Sequence, residues 1–368
     1  MIIFAGGGSG GHIIPALAIA EEMGRGGSGG GDQRVFVCSD RKLDSELLTR
    51  EGVEFRVVPA KPVALRPRGL WRFLRSWGPS VRAGRALIRE GKKSGRVVVV
   101  ATGGFVAAPI ARAARVEGVP VVLVNLDAVP GKANRLVARR ADALFSAAPV
   151  VGPSAGLPWR IVPPIVRRSA MTTIPAGECR ARLGLDPGVR TLLVTGGSQG
   201  AVSVNRVVIR ALKERREVFE GWQVIHQCGR GEEGPVEAAY REAGVRCIVR
   251  AFFERMGECW SAADLAVSRA GAGGVADAWA YTVPTLFLPN PYHKDEHQRL
   301  NAMRLVEAGG AVVVKDRVEA GLNTEAVEAL AGLMGDSEKR EKMKEKLKGL
   351  GPADGAGRVA EGVREVLA

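Results

Sequence analysis

Two glycine-rich loops carry the clearest chemical signal in this sequence. In the first, a short apolar run at the amino end leads into Gly6–Gly11, and His12 follows directly. In the second, the apolar run Leu192–Val194 leads into Gly196–Ala201. A strand, a glycine loop and a helix in this order gather unpaired backbone N–H groups and the positive end of a helix dipole. Both loops are therefore predicted to bind an anion such as phosphate.

The elements that position these loops are short β-branched strands alternating with helices. Because strands separated by helices form parallel βαβ units, each half of the chain is predicted to be a doubly wound parallel sheet. Ligands of such sheets bind beyond the carboxyl ends of the strands, so we expect the two domains to face a shared cleft. The predicted domains are residues 1–160, residues 161–345 and a helical tail at 346–368.

Charge is concentrated in the first domain. Residues 1–160 hold 24 basic and 12 acidic side chains, a net charge of +12, whereas the remainder carries +2. Within the segment Lys61–Arg96, eleven basic residues accompany a single acid, Glu90. Such an asymmetry predicts an anionic partner for this half, either lipid headgroups or nucleic acid.

The remaining composition favours a soluble protein of a reducing compartment. The five cysteines show no paired spacing typical of zinc sites or of a disulfide framework. The longest uncharged stretches, 97–111 and 143–159, are interrupted by Gly and Pro and are too short to cross a bilayer. The opening apolar run also lacks the features of a signal peptide. We therefore expect a cytoplasmic protein that does not span the membrane.

Five motifs, in order along the chain, resemble the signatures of the MurG family. These are GGGSGGHIIPALAIA (6–20), GGSQGAVSVN (196–205), IHQCG (225–229), SRAGA (268–272) and HKDEHQRLNA (293–302). Members of that family add N-acetylglucosamine to the lipid-linked muramyl-pentapeptide precursor of peptidoglycan. The resemblance implies a GT-B fold of two Rossmann-like domains. It also implies inverting transfer from UDP-N-acetylglucosamine to the 4-hydroxyl of the undecaprenyl-diphosphate-linked acceptor, with no cofactor and no metal.

On the donor side, the resemblance implies six binding residues. Three of them, Ser198, Gln199 and Gly200, resemble the loop residues that hold the UDP diphosphate. Arg167 resembles an arginine that pairs with the leaving diphosphate. Asp277 resembles the residue that binds the ribose hydroxyls, and Gln298 resembles the residue that contacts the donor sugar. Two departures are that Pro-Pro-Ile precedes Arg167 where the family has Gly-Asn-Pro, and that Asp277 replaces a glutamate.

On the acceptor side, His12 resembles a family residue near the attacking hydroxyl. A neutral imidazole there is suited to accept the hydroxyl proton, although a histidine at a helix start also serves simply to satisfy backbone groups. Ser9, Gly10, Gly11 and Asn134 are the predicted acceptor contacts. At Val124–Asp127, however, Val-Asn-Leu-Asp replaces the family's His-Glu-Gln-Asn, so Asp127 is a candidate second base or acceptor contact.

A basic, aromatic segment is predicted to form a helix with one apolar face. Leu70, Phe73, Leu74 and Trp77 recur at helical spacing, Trp71 flanks them, and arginines surround the stripe. Such a stripe is either part of a core or the membrane face of an interfacial helix. Because no helix-turn-helix, RNP or KH pattern accompanies the charge, we predict contact with an anionic inner-leaflet membrane surface and no nucleic-acid partner. The expected location is peripheral, at the cytoplasmic face of the cell membrane.

Other interpretations of the motifs remain open. A related two-Rossmann transferase acting on a different lipid-linked acceptor is the main alternative, because of the Val124–Asp127 departure. A nicotinamide oxidoreductase would use the first loop with Asp32, and a basic binding protein would use only the charge. The spacing His293-x-x-Glu296-His297 matches a zinc-peptidase pattern, but it follows a proline-containing loop, so no metal site is predicted.

Overall fold

The structure is a computed structural model that describes residues 1–8, 10–25, 33–63, 66–197, 200–317 and 320–368. It divides into two compact units. The first comprises Met1–Arg168 together with Asp354–Ala368, and the second comprises Ser169–Ala353. Each unit is built around one parallel sheet, as the alternation of strands and helices predicts.

The first unit contains a seven-stranded parallel sheet flanked by helices. Its strands are β1 (Ile2–Gly6), β2 (Arg34–Ser39), β3 (Phe55–Val58), β4 (Val98–Gly103), β5 (Val121–Asn125), β6 (Ala143–Ser146) and β7 (Arg160–Ile161). Its first five helices are α1 (Gly10–Arg25), α2 (Lys42–Arg50), α3 (Pro67–Lys92), α4 (Gly104–Val116) and α5 (Lys132–Ala138). The strand order is β3-β2-β1-β4-β5-β6-β7. Strands β1, β4 and β5 are buried throughout because helices cover both faces of the sheet.

The second unit repeats the design with six strands. They are β8 (Arg190–Thr195), β9 (Trp222–Gln227), β10 (Cys247–Arg250), β11 (Leu265–Ser268), β12 (Thr285–Phe287) and β13 (Ala311–Val313). The helices are α6 (Ala176–Arg182), α7 (Val202–Glu214), α8 (Glu233–Glu242), α9 (Met256–Ala262), α10 (Ala272–Ala280), α11 (His297–Glu307), α12 (Thr324–Gly335) and α13 (Ser337–Gly349). The strand order is β10-β9-β8-β11-β12-β13, and all pairings are parallel.

In both sheets the order in which the chain adds strands reverses beside the first strand, and this reversal determines where a ligand site forms. Chain connections run outward from β1 to β2 and β3 on one side, and from β4 onward on the other. The second sheet does the same around β8 and β11. A crevice opens at such a switch point, beyond the carboxyl ends of the strands. The two glycine loops follow β1 and β8, so each lies at a switch point.

The last helix, α14 (Gly355–Leu367), belongs to the first unit. The sequence predicts a boundary near 160 and a separate tail at 346–368, whereas the structure divides the chain after Arg168 and again before Asp354. The physical reason is packing. Val359 and Val363 are fully buried in the core of the first unit, while Leu347 of α13 is buried in the second.

Within the described residues, no helix combines the length and apolar character needed to cross a membrane.

Candidate functional site

The first unit brings the loops after β1 and β4 together. Gly103 ends β4 and Gly104 begins α4, with φ of 107° and 74°, a region that residues with a side chain rarely adopt. A Cβ atom on Gly104 would overlap the carbonyl oxygen of Gly7, and one on Gly103 would lie 2.8 Å from Nδ1 of His12. The two loops can therefore approach each other beside His12 only because both positions are glycine.

His12 lies in the first turn of α1, half-buried, with its ring held by the backbone of β4. Its Nδ1 lies 3.2 Å from the carbonyl oxygen of Thr102. A carbonyl oxygen can only accept, so Nδ1 carries the proton and Nε2 keeps the lone pair of the neutral ring. Burial lowers the pKa of His12, opposed in part by the Thr102 hydrogen bond and by the charges of Asp127 and Asp44. The ring therefore presents a neutral acceptor nitrogen, as a general base requires.

Asp127 and Asn134 belong to a hydrogen-bonded network that follows β5. The side-chain amide of the buried Asn125 donates to the Asp127 carbonyl oxygen at 2.6 Å and to the Ser146 hydroxyl at 3.0 Å. Asn134, also buried, donates to Oδ1 of Asn125 at 3.1 Å. A Cβ atom on Gly103 would lie 2.8 Å from Nδ1 of His12 and 3.1 Å from Oδ1 of Asn134, so His12 and this network lie at the same end of the sheet.

Two residues that the sequence analysis missed hold the first glycine loop. Asp44 of α2 is fully buried and accepts hydrogen bonds from the Gly8 N–H at 2.7 Å and from the Ser39 hydroxyl at 2.6 Å. Arg41 donates to the Gly8 carbonyl oxygen at 2.6 Å, and its guanidinium lies 5.2 Å from the centre of the Phe105 ring. Both backbone groups of Gly8 are thus fixed. Asp44 stands in a charged segment that resembles any exposed helix, so no sequence signal marks it.

The other predicted residues of this loop are described only in part. Ser9 lies outside the described residues. Gly10 and Gly11 are the first two residues of α1, where backbone N–H groups have no partner within the helix. Their contact with an acceptor diphosphate stays a prediction.

Arg167 lies in the first unit, bound by two carboxylates. Its Nε donates to Glu21 at 2.5 Å and its Nη2 donates to Glu51 at 2.6 Å. These bonds raise the pKa of Arg167 and lower that of Glu51. The predicted contact with the leaving diphosphate therefore competes with an ion-pair network that already uses two of its donor atoms.

The second glycine loop is shaped by a close approach to the end of β9. Gly200 has φ of 73°, and a Cβ atom there would lie 2.5 Å from both the Cys228 carbonyl oxygen and the Gly229 Cα. On the preceding side, the Gln227 side chain donates to the Gly197 carbonyl oxygen at 2.8 Å. Gly200 is therefore required for the fold of this loop. Ser198 and Gln199 lie outside the described residues, and their diphosphate contact stays a prediction.

His226 and Asn205, both from the recognised motifs, form a buried structural network behind this loop. His226 bonds to the Tyr240 hydroxyl at 2.9 Å and to Oδ1 of Asn205 at 3.0 Å. Asn205 in turn donates to the Cys228 carbonyl oxygen at 2.9 Å. Complete burial lowers the pKa of His226 to about 3, so this ring stays neutral and supports the loop.

Asp277 lies on α10, half-buried, where the Trp260 side chain donates a hydrogen bond to its carboxyl group. Burial raises the pKa of Asp277 to about 7. Near neutral pH the group is therefore divided between its acid and carboxylate forms. The predicted contact with a ribose diol stays a prediction.

Gln298, in the first turn of α11, has one of its amide atoms engaged. Its Oε1 accepts from the Asn290 N–H at 2.9 Å, which leaves the amide nitrogen to donate. His297 begins α11, whereas His293 precedes it in the loop, and their rings stack 4.4 Å apart. The zinc-peptidase pattern therefore does not place its histidines one turn apart on a helix. Among the described residues no group of three or more His, Cys, Asp or Glu is arranged to hold a metal ion.

Arg269, after β11, joins several loops of the second unit and was missed as a site residue. Its Nη1 donates to Asp316 at 2.7 Å and to the Leu288 carbonyl oxygen at 2.7 Å, and its Nη2 donates to the Ser203 hydroxyl at 2.7 Å. These partners follow β12, β13 and the glycine loop. Its motif, SRAGA, marks the position, but the partners lie too far away in sequence to be found from it.

The predicted membrane residues lie on α3. Leu70, Trp71 and Leu74 are 44%, 59% and 62% exposed, whereas Phe73 and Trp77 are half-buried and in contact with each other. The Arg75 guanidinium lies over the Trp71 ring at 5.1 Å. The stripe thus has an exposed amino-terminal part and joins the core at Trp77, and contact of the exposed residues with a membrane stays a prediction.

Comparisons with known proteins agree with this architecture. The glycosyltransferase family 28 N-terminal domain matches residues 2–146, and the family 28 C-terminal domain matches residues 191–359. The crystal structure of MurG from Acinetobacter baumannii superposes with a TM-score of 0.74, at 24% identity and 99% coverage of both chains. The predicted fold class, two Rossmann-like parallel-sheet domains, is confirmed.

Two relatives bear the name UDP-N-acetylglucosamine–N-acetylmuramyl-(pentapeptide) pyrophosphoryl-undecaprenol N-acetylglucosamine transferase. That of Clavibacter sepedonicus is 37% identical, covering 100% of this chain and 96% of the relative. That of Bacillus licheniformis is 29% identical, covering 99% of this chain and 98% of the relative. With both family 28 domains present in order, the chain belongs to the MurG family of glycosyltransferases.

Proposed function

We propose that this protein transfers N-acetylglucosamine from UDP-N-acetylglucosamine to the 4-hydroxyl of undecaprenyl-diphosphate-linked N-acetylmuramyl-pentapeptide, with inversion at the sugar. The relatives named for this reaction support the substrates. The observation that carries the chemistry is the His12 ring, whose Nδ1 is bound to the Thr102 carbonyl oxygen so that Nε2 is the acceptor.

In the proposed reaction, Nε2 of His12 accepts the proton of the acceptor hydroxyl as its oxygen attacks the anomeric carbon. The bond from that carbon to the UDP oxygen breaks as the new glycosidic bond forms, and the electron pair leaves with UDP. The positive charge that develops on the ring is stabilised by Asp127 and Asp44, since both raise the pKa of His12. Asp127 is the proposed second acceptor-side residue, beside Asn134.

The donor is proposed to bind the second unit. The Gly196–Ala201 loop and the α7 amino terminus supply N–H groups for the diphosphate, as helix starts do for anions. Asp277 is proposed to accept from the ribose hydroxyls in its carboxylate form, and Gln298 to donate to the sugar through its amide nitrogen. Arg167 would contact the leaving diphosphate through its remaining N–H groups, or by exchanging Glu21 or Glu51 for it.

The membrane contact is proposed to be the exposed part of α3, at the cytoplasmic face. Leu70, Trp71 and Leu74 would enter the interfacial region of the bilayer while the surrounding arginines meet anionic headgroups. Each basic residue near such a surface contributes roughly 1 kcal/mol of binding free energy. This gives a reversible, peripheral association.

A transferase acting on a different lipid-linked acceptor is the second candidate. The observation that favours it is the packing and hydrogen bonding of the Val124–Asp127 segment. Val124 is fully buried and the Asn125 side chain is used in the network around Ser146, so neither replaces the polar groups that the family has there.

An acceptor panel tests the proposal. Purified protein, radiolabelled UDP-N-acetylglucosamine and a short-chain lipid-linked muramyl-pentapeptide are expected to give labelled disaccharide product, with lipid-linked acceptors lacking the muramyl group giving none. Product only with another lipid-linked acceptor would favour the second candidate. If the protein transferred N-acetylglucosamine to none of the acceptors in the panel, both candidate functions would be contradicted.

A further inference from the structure

Arg269 lies between two parts of the second unit that the proposed function assigns to one donor molecule. The α7 amino terminus is proposed to hold the diphosphate, and Gln298 at the start of α11 is proposed to contact the sugar. These two parts belong to separate βαβ units, since α7 follows β8 and α11 follows β12. A single nucleotide sugar can therefore bind at both places only if something fixes them relative to each other.

On one side, a closed ring of hydrogen bonds ties Arg269 to the first turn of α7. Nη2 of Arg269 donates to the Ser203 hydroxyl at 2.7 Å, that hydroxyl donates to Oδ2 of Asp316 at 2.6 Å, and Nη1 of Arg269 donates to the same oxygen at 2.7 Å. The Asp316 side chain is fully buried and that of Arg269 is 12% exposed. Charge-assisted hydrogen bonds are strong in such an interior, so the ring holds Ser203, and with it the start of α7, in one position.

On the other side, the same guanidinium group holds the loop that leads from β12 to α11. Nη1 of Arg269 also donates to the carbonyl oxygens of Leu288 and Pro289, at 2.7 Å and 3.0 Å. The next residue is Asn290, whose N–H donates to Oε1 of Gln298 at 2.9 Å. The orientation of the Gln298 amide therefore depends on a stretch of backbone that Arg269 fixes.

We propose that Arg269 is a positioning residue for the donor, which holds the α7 amino terminus and the Gln298 loop in one arrangement so that the diphosphate and the sugar bind together. The inference rests on the proposed function, which assigns the donor to these two places. Arginine suits this role because its planar fork donates from two nitrogens in fixed directions, whereas lysine has a single flexible ammonium group. Arg269→Lys would keep the charge opposite Asp316 but could not hold both α7 and the loop.

Another buried arginine of the second unit provides a matched control. Arg180 donates to the Asp264 carboxylate at 2.8 Å and to the carbonyl oxygens of Ala262 and Pro187 at 2.9 Å and 3.0 Å. Asp264 precedes β11 and Pro187 precedes β8, so this network lies at the amino ends of the strands. Ligands of such sheets bind at the opposite, carboxyl ends. Arg180→Lys therefore makes the same change in a comparable network away from the proposed donor site.

The test measures the Kd of UDP and of UDP-N-acetylglucosamine by titration calorimetry on the full chain, without acceptor. Arg269→Lys is expected to raise the Kd of UDP-N-acetylglucosamine about tenfold or more, as for the loss of one hydrogen bond to a charged group. The Kd of UDP should rise by a smaller factor, because UDP lacks the sugar that Gln298 contacts. Arg180→Lys should leave both values unchanged while lowering the thermal unfolding midpoint to a similar extent. Equal weakening of donor binding by the two variants, or none by Arg269→Lys, would overturn the proposal.

A milder variant tests the bond to α7 alone. Ser203→Ala leaves the buried ion pair in place and is expected to raise the Kd of both ligands by a similar factor, about two- to tenfold, as for one neutral hydrogen bond. Ser261→Ala is the control, since that hydroxyl donates to the Ile174 carbonyl oxygen at 2.8 Å, away from the glycine loop. Unchanged binding of both ligands by Ser203→Ala would show that the ring does not position the α7 amino terminus.

A double-mutant cycle tests the connection to Gln298. Gln298→Ala is expected to weaken UDP-N-acetylglucosamine binding in wild type, and by a factor at least about threefold smaller when Arg269→Lys is already present, because residues that act through each other are not additive. Equal effects of Gln298→Ala in the two backgrounds would show that Arg269 does not position this side chain.

Donor binding and sugar transfer together distinguish this inference from the proposed function. A wild-type protein that transfers the sugar, but whose Arg269→Lys and Arg180→Lys variants bind the donor equally well, would overturn the positioning role alone. A protein whose variants show the expected Kd values, but which transfers the sugar to no acceptor, would overturn the proposed transferase function alone.

Discussion

The role of His12 depends on which of its ring nitrogens donates a hydrogen bond, as well as on where the ring lies. The Thr102 carbonyl oxygen fixes the tautomer, and burial keeps the ring neutral. Asp44 has two effects on it: its carboxylate holds Gly8 four residues before His12, and its charge raises the pKa of the ring. These effects are separable, because asparagine retains an acceptor oxygen and removes the charge.

Asp44→Asn is therefore expected to lower the pKa of His12 further. A base works in its deprotonated form, so transfer activity falls as pH drops through the pKa of His12, and a lower pKa moves that acid limb to lower pH. The measurement is the pH dependence of kcat/KM with a short-chain acceptor. Asp40→Asn is the control, since Asp40 is exposed and bonded to Lys61. An acid limb that stays in place in Asp44→Asn would exclude an electrostatic role.

The raised pKa of the Asp277 carboxyl can be tested through the pH dependence of the free energy of unfolding. Its pKa is about 7 in the folded protein and about 3.9 in an unfolded chain. Between these values the unfolded state releases its proton while the folded state keeps it, so the free energy of unfolding falls as pH rises from 4 to 7. Asp277→Asn removes the titrating group and so abolishes this loss. Relative to wild type, the free energy of unfolding of the variant is expected to rise by about 1–3 kcal/mol between pH 4 and pH 8.

Urea unfolding, followed by hydrogen exchange in the second unit, measures this difference. The control is Glu237→Gln, at an exposed position of α8, which should show no such trend. A stability difference between Asp277→Asn and wild type that is the same at pH 4 and pH 8 would show that burial does not raise the pKa of this carboxyl.

At the scale of elements, the glycine loops are the part of the site most directly encoded by local sequence. Their positions after β1 and β8 follow from apolar runs that end in glycine, and the strand–helix alternation correctly predicts both sheets. The structure adds a close approach of the β1 and β4 loops through Gly103 and Gly104, two residues that the sequence analysis did not mark.

Gly104→Ala should disturb this approach. The new Cβ would overlap the Gly7 carbonyl oxygen at a φ of 74°, so we expect a loss of about 2–4 kcal/mol in the free energy of unfolding and reduced transfer. Gly118→Ala is the matched control, because its φ is 62° but nothing lies within 4 Å of the added atom. Backbone strain alone predicts a loss of about 1 kcal/mol there. Equal losses in both variants would show that the loop contact is unimportant.

Contacts between distant elements explain what the sequence could not predict. The resemblance to a motif assigns Arg167 to a phosphate, yet its carboxylate partners lie on α1 and directly after α2, more than a hundred residues away. Asp44 and Arg269 likewise acquire their roles only when loops from separate βαβ units meet. Local patterns indicate strands, helices and loops, whereas ion pairs and buried carboxylates depend on tertiary packing.

At the scale of the whole molecule, the chain returns to its first unit at the end. Helix α14 packs against α1, and its buried valines complete the core beneath β1, β4 and β5. A highly polar α13 precedes it, and the glycine-rich start of α14 gives no local sign of which sheet it covers. For this reason the sequence suggested a separate tail.

Val359→Ala is expected to destabilise the first unit although it lies near the carboxyl end. Removing the buried side-chain carbons and leaving a cavity should lower the free energy of unfolding by about 2 kcal/mol. Hydrogen exchange should show the loss in β1 and β4, and Glu361→Ala on the exposed face of α14 should have little effect. Faster exchange confined to the second unit would contradict the assignment of α14.

The most direct test of the account is the rate of N-acetylglucosamine transfer to a short-chain lipid-linked muramyl-pentapeptide in wild type and in His12→Gln. We expect product in wild type and a fall in kcat of about a hundred- to ten-thousand-fold in the variant, with UDP binding unchanged, since the donor is assigned to the second unit. Transfer at the wild-type rate in His12→Gln, or none in a wild-type protein that binds UDP-N-acetylglucosamine, would contradict it.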